Sequence, residues 1–273
     1  MDNRSHYNHV TDAWMFIMGD NLHYGYFDNG DTDLQKATDA LIDNFASMAR
    51  IDEDTSVLDV GCGIGGPALY LHEKFGCHIS GISTSSRGIE IAKAKSKEKG
   101  YSEKVRFYTR DALDNGFPED TFDIVWVMES SHLMRNKGRL FEENYRVLRN
   151  GGRMLLCDQM LLKEFTARDV LRYRKELAAV EKSFGKAKVE TIGFYKAKMG
   201  ERGFTDIETI DISEQAFPTL IKWKENIQHK KDSVLEHFSE DDFNNFILSC
   251  DILMDLFKNG IWGYGLVSGT KQS

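Results

Sequence analysis

The sequence predicts an α/β protein: a mostly parallel sheet covered by helices, with extra helical material as a cap. Three observations carry this. Short β-rich runs alternate with amphipathic helical patterns between residues 51 and 158, as they do when helices join parallel strands. The first run, Ser56 to Val60, leads straight into a glycine cluster, the pattern of a strand turning into a helix beside a ligand. Helical patterns at 159–202 and 214–259 exceed what a minimal doubly wound sheet needs, so they read as a cap over the ligand edge.

Each element follows from its spacing. Leu34, Ala37, Leu41, Phe45 and Met48 recur at helical intervals and predict a helix over 33–49. The strand Ser56 to Val60 is followed by a helix running to Phe75, then by a strand from Cys77 to Ile82. A helix carrying Ile89, Ile91 and Ala92 comes next, then strands at Val105 to Tyr108, Ile124 to Met128 and Arg153 to Cys157. The helix before Arg153 is expected to stop at Asn150-Gly151-Gly152. Val170, Tyr173, Leu177, Val180 and Phe184 predict a single helix, and Phe204 to Ile212 a strand. Phe243, Phe246, Ile247, Cys250, Leu253, Met254 and Phe257 line one face of a long helix before a terminal strand, Ile261 to Thr270.

Composition narrows the function. The chain has 273 residues, and 35 Lys+Arg against 43 Asp+Glu leaves a net charge of −8. That balance argues against a nucleic-acid partner, whose phosphates want a basic surface, and against an anionic membrane. The longest apolar run, Ile124 to Met128, is far too short to span a bilayer. The N-terminus lacks the apolar core of a signal peptide, so a cytoplasmic protein is expected. Cys62, Cys77, Cys157 and Cys250 are scattered with no C-x-x-C pair, which suggests neither disulfides nor a metal site.

The sharpest motif is VLDVGCGIGG at 57–66. Gly61, Gly63 and Gly66 satisfy G-x-G-x-x-G, which alone leaves a nicotinamide cofactor and another adenosine ligand both open. Four features favour the latter. Asp59 stands at the strand end, where it would repel a pyrophosphate but suits a cationic group. The next strand ends Gly81-Ile82-Ser83-Thr84, with no acid to clamp a ribose. Asp111-Ala112 follows the third strand, where a carboxylate can accept from an adenine amino group. Glu129 follows the fourth.

These motifs, with RVLRNGG at 146–152 and the closing YGLVSGTK, resemble those of class I S-adenosylmethionine-dependent methyltransferases. The resemblance covers the chain from about Asn21 onward. It implies a Rossmann-like sheet of seven strands with the last antiparallel, and S-adenosylmethionine as cofactor. It implies a loop of Asp59, Gly61, Cys62, Gly63 and Gly65, with Ser83 and Thr84 in place of the usual ribose acid. Asp111 and Ala112 would hold the adenine, and Glu129 would lie near the methionine. GISTS at 81–85 and VWVMESSHLM at 125–134 are most similar to small-molecule tailoring methyltransferases, including sugar O-methyltransferases of the rebeccamycin and erythromycin type. Sterol, terpene and glycine-betaine methyltransferases are cousins. GDNLHYGYF at 19–27 resembles their N-terminal cap, making Asn21, His23, Tyr24 and Tyr26 candidates to close on the cofactor. The expected division is an N-terminal helical cap at 1–50, a cofactor-binding core at 51–158, and the rest of the sheet with acceptor-cap insertions at 159–273.

Methyl transfer from a sulfonium needs in-line alignment and exclusion of water. A hydroxyl acceptor also benefits from a base. His132 stands just past the fourth strand and Asp158 ends the fifth, so the two can meet at the ligand edge. The resemblance implies that they are base and helper. The expected activity is methylation of oxygen, hydroxyl or carboxylate, on a small natural product or modified peptide. Nitrogen or carbon acceptors are the alternative, and an NAD-dependent oxidoreductase the more distant one. Met160, Tyr173, Phe184, Tyr195, Phe217 and Trp223 are the candidate pocket side chains of the cap.

Overall fold

A computed structural model describes residues 2–28 and 33–272. Seven strands form one sheet: β1 (Ser56–Val60), β2 (His78–Ser83), β3 (Val105–Thr109), β4 (Phe122–Met128), β5 (Leu148–Leu161), β6 (Phe204–Asp211) and β7 (Trp262–Lys271). Their spatial order is β3-β2-β1-β4-β5-β7-β6. β7 runs antiparallel to both its neighbours, and the other pairs are parallel. This is the Rossmann-like sheet with a reversed last strand.

Strand alternation explains the two cores. On β4, Ile124, Trp126 and Met128 enter one apolar cluster while Val125 and Val127 enter the other. Successive side chains point to opposite faces, and both faces are covered, so the strand is apolar throughout.

The helices are α1 (Asn3–Met18), α2 (Leu34–Ala46), α3 (Gly66–Phe75), α4 (Ser86–Glu98), α5 (Lys137–Val147), α6 (Ala167–Arg172), α7 (Arg174–Phe184), α8 (Ile192–Arg202), α9 (Ser213–Ala216), α10 (Pro218–His229), α11 (Lys231–Leu235) and α12 (Glu240–Lys258). Side-chain caps explain several starts: Asp2, Asp33, Thr191 and Ser239 each accept from a backbone amide of the first turn.

Three sequence expectations need correction. The helix before the fifth strand ends at Val147, because Leu148 is already extended, and Asn150-Gly151-Gly152 lie inside β5 as an irregularity against β4. The predicted helix from Val170 to Phe184 is two helices broken at Tyr173, with Val170 and Leu171 exposed. The insertion at 159–202 does not act as one cap: α7 packs on α12, whereas α8 packs on α5 and β6 and covers the sheet. Within the expected cap segments, α1 packs on α10 and α11, and α7 on α12. Among the described residues no helix is long and apolar enough to cross a membrane.

Candidate active site

The ends of β1, β2 and β4 and the loop after β3 open into one cavity of about 340 Å³, roofed by α1, α7, α10 and α12. Gly61, Cys62, Gly63, Ser83, Thr84, Asp111, Ala112, Glu129, Tyr24 and Asp59 all line it. His132 does too.

Backbone chemistry builds the floor. Gly61 has φ +85, and a Cβ there would stand 2.2 Å from Cβ of Ser130. Only glycine lets the β1 loop and the turn after β4 touch. The Ser130 hydroxyl then donates to the Val60 carbonyl at 2.5 Å. Glu129 itself adopts φ +45, uncommon for a side-chain-bearing residue, at the head of this turn.

Gly65 and Asn21 differ from expectation. Gly65 is not part of the cavity wall; it caps α3 with φ +81, and a Cβ would press on Phe107 and Ala92. Asn21 is also withdrawn. Its Nδ2 donates to Thr38 and Asp39, and its Oδ1 lies where a Cβ of Gly66 would stand. Both brace the loop from behind. Tyr26, likewise outside the wall, donates its amide to Ala37.

Two acids face the cavity, Asp59 buried and Glu129 half-buried. The Asp59 Oδ2 has no hydrogen-bond partner, and burial pushes the carboxyl up to about 7. Glu129 Oε1 accepts from the Tyr24 amide and the Tyr264 hydroxyl, each at 2.6 Å. Burial pushes this acid up to about 8, against the pull of those two donors. Two uncompensated carboxyls beside a glycine loop fit a ligand that brings positive charge. An ammonium and sulfonium meet that need, whereas a dinucleotide pyrophosphate does not.

The second pair lies alongside. His132 Nδ1 meets Asp158 Oδ1 at 2.7 Å, with both side chains buried. Asp158 also accepts from the Ser131 hydroxyl, the His132 amide and the Gln159 amide. Burial opposes its charge, but the His132 ring and these donors outweigh that and hold the carboxyl below the usual range. Asp158 is fully enclosed and does not touch the cavity, so only the ring of His132 reaches it. With Nδ1 committed to Asp158, Nε2 is the nitrogen left to take a proton.

The roof is aromatic and aliphatic. Trp14, Phe184, Trp223, Met18, Leu22 and Leu253 line it. Of the cap side chains expected in the pocket, Phe184 and Trp223 are there. Met160, Tyr173, Tyr195 and Phe217 are not: Met160 is core under β7, and Tyr195 sits behind His132, bonded to the Ser131 hydroxyl. Sequence reasoning missed Tyr7, Thr11 and Trp14 of α1. Val10, Ala13, Trp14 and Ile17, at 3-4 spacing behind the Asp2 cap, signal the helix but not what it faces.

The family model for mycolic acid cyclopropane synthetase matches residues 1–262. The chain belongs to that family. It is a class I S-adenosylmethionine-dependent methyltransferase, and S-adenosylmethionine is its cofactor. Among its relatives is 27-O-demethylrifamycin SV methyltransferase of Amycolatopsis mediterranei (strain S699), 29% identical over 237 residues and covering 87% of this chain and 86% of that one. Methyltransferase GfsG of Streptomyces halstedii is 30% identical over 220 residues, 78% of this chain and 76% of the other. Among solved structures, mycolic acid cyclopropane synthase CmaA1 complexed with SAH and CTAB superposes with a TM-score of 0.88 at 18% identity, covering 98% and 96% of the two chains. The [4+2]-cyclase SpnF superposes with a TM-score of 0.84 at 24% identity, covering 98% of this chain and 95% of that one. A shared fold therefore does not choose the reaction partner; the site must.

Proposed function

We propose that this methyltransferase methylates a hydroxyl oxygen of a small, largely apolar natural product, with His132 as general base and Asp158 as its orienting partner. One observation carries the reading: the buried His132–Asp158 contact at 2.7 Å, with the imidazole on the wall of the same cavity as the glycine loop. Asp158, kept charged, fixes the ring so that Nε2 accepts the acceptor's proton, and it stabilises the imidazolium that results. The aromatic roof favours an apolar acceptor. The rifamycin relative, named for an O-methyl transfer, supports oxygen as the target.

The cofactor supplies an activated methyl on a sulfonium. In this reading Asp59 and Glu129 take the positively charged end, the Gly61–Gly63 backbone lies against the ligand, and Asp111 with Ala112 holds the adenine. Ser83 and Thr84 stand by the ribose. The acid count of the cavity and a net charge of −8 favour a small acceptor over nucleic acid. The test is a panel of hydroxyl-bearing acceptors, each paired with its methyl-capped analogue, incubated with labelled S-adenosylmethionine. Label is expected on the free hydroxyl alone; transfer to nitrogen or carbon with the hydroxyl capped would refute the reading.

A further inference from the structure

Lys137 stands in the first turn of α5, where a lysine ordinarily extends into solvent, yet it is 3% exposed. Among the described residues it has no carboxylate within ion-pair distance. Its Nζ instead donates to three carbonyls: Ser131 at 2.6 Å, Met134 at 2.8 Å and Lys188 at 3.0 Å. An ammonium has three N–H donors, and all three are used. Burial lowers Lys137 to about 8, with Asp158 pulling the other way, so the ammonium persists at neutral pH.

The three acceptors are not scattered. Ser131 and Met134 bracket His132 in the short 3-10 turn Ser131–Leu133. Lys188 belongs to the loop joining α7 to α8, and its own amide donates to the His132 carbonyl at 2.7 Å. Asn3 of α1 makes a second tie, donating to the Leu133 carbonyl at 3.4 Å and the Lys186 carbonyl at 3.0 Å. A side chain satisfied only by the two segments that hold the base is a cross-link between them. We infer that Lys137 is a positioning residue for His132: it clamps the base-bearing turn to the α7–α8 loop so that the imidazole is held against Asp158. This rests on the reading of His132 as the base.

The test uses isotope-labelled full-length enzyme with S-adenosylhomocysteine bound. The His132 Nδ1 proton, identified by its loss in His132→Gln, should exchange about 10-fold faster in Lys137→Met, and the Lys188 amide likewise, as a local opening costs less. Affinity for S-adenosylhomocysteine should stay within about 2-fold, because Lys137 is not on the cavity wall. Should Lys137→Met not fold, Lys137→Gln, which keeps two donors, is read for the same two signals. Wild-type exchange at both His132 and Lys188 in whichever variant folds would overturn the inference. It would leave the base assignment standing, since that is judged separately by turnover of His132→Gln.

Discussion

The cavity has two halves built on different principles. The floor, from Asp59 to Gly63 with Ser83, Asp111 and Glu129, comes from strand ends and turns whose geometry is dictated locally. The roof and the His132 wall are assembled from distant segments: Trp14 of α1, Phe184 of α7, Trp223 of α10, and His132 tied to Asp158 and Lys188. The electrostatics differ as well. Asp59 and Glu129 of the floor lack compensating charge and are pushed toward neutrality by burial, whereas Asp158 beside His132 is fully bonded and held charged. The floor's acids suit a cation, while the His132–Asp158 pair is satisfied within the protein. Such a molecule can keep one cofactor while exchanging acceptors.

The largest effect that would break this division is on stability. Asp158→Ala strips a buried carboxylate from four donors, and leaving buried donors unsatisfied typically costs about 1–3 kcal/mol apiece. Urea unfolding should show that loss, and the folded fraction should still bind S-adenosylhomocysteine. Loss of binding by folded protein would mean the halves are one unit. Next in size is Gly61→Ala. A methyl 2.2 Å from Ser130, at φ +85, forces the floor apart, and overpacking of this kind costs about 1–3 kcal/mol. Calorimetry should find S-adenosylhomocysteine bound roughly 10- to 100-fold more weakly, the equivalent of about 1.4–2.8 kcal/mol.

How much of this was legible follows the same line. The β1 loop, the alternation of strands and the ligand edge could be read because each rests on a few adjacent residues: glycines where φ is positive, apolar runs where a strand is buried on both sides. His132 and Asp158 could be read as neighbours because one closely follows β4, the other lies on β5, and those strands are adjacent. The roof could not. Trp14 and Tyr7 look like ordinary helical apolar residues until α1 is seen packed on α4 and α10. Asn21 looked like a ligand contact and is spent on Thr38 and Asp39. Lys137 carried no signal, since a lysine in a first turn reads as solvated.

The pH response sharpens the contrast. Asp59 at about 7 and Glu129 at about 8 hold protons in the ligand-free fold that the unfolded chain has already released. Their contribution to stability therefore falls as pH rises from the ordinary carboxylate range toward 8. Asp158, lowered, works oppositely: its contribution is present above the ordinary range and is lost as pH falls through its depressed value. A cationic ligand favours the ionised floor, so S-adenosylmethionine binding near neutral pH should release protons. Calorimetry in buffers of different ionisation enthalpy reads this, and a binding heat independent of buffer would contradict it. The smallest effect is on the roof. Trp223→Phe should raise KM for the acceptor about 3- to 10-fold, within the roughly 1.5 kcal/mol of a tolerated apolar swap. Cofactor affinity should not move.

The most direct measurement compares wild type and His132→Gln for labelled methyl transfer to a hydroxyl acceptor, alongside S-adenosylmethionine affinity on the same preparations. Loss of a general base predicts a kcat lower by about 10²–10⁴-fold, with cofactor affinity unchanged. Near wild-type turnover in His132→Gln, or cofactor affinity falling in step with kcat, would contradict the account.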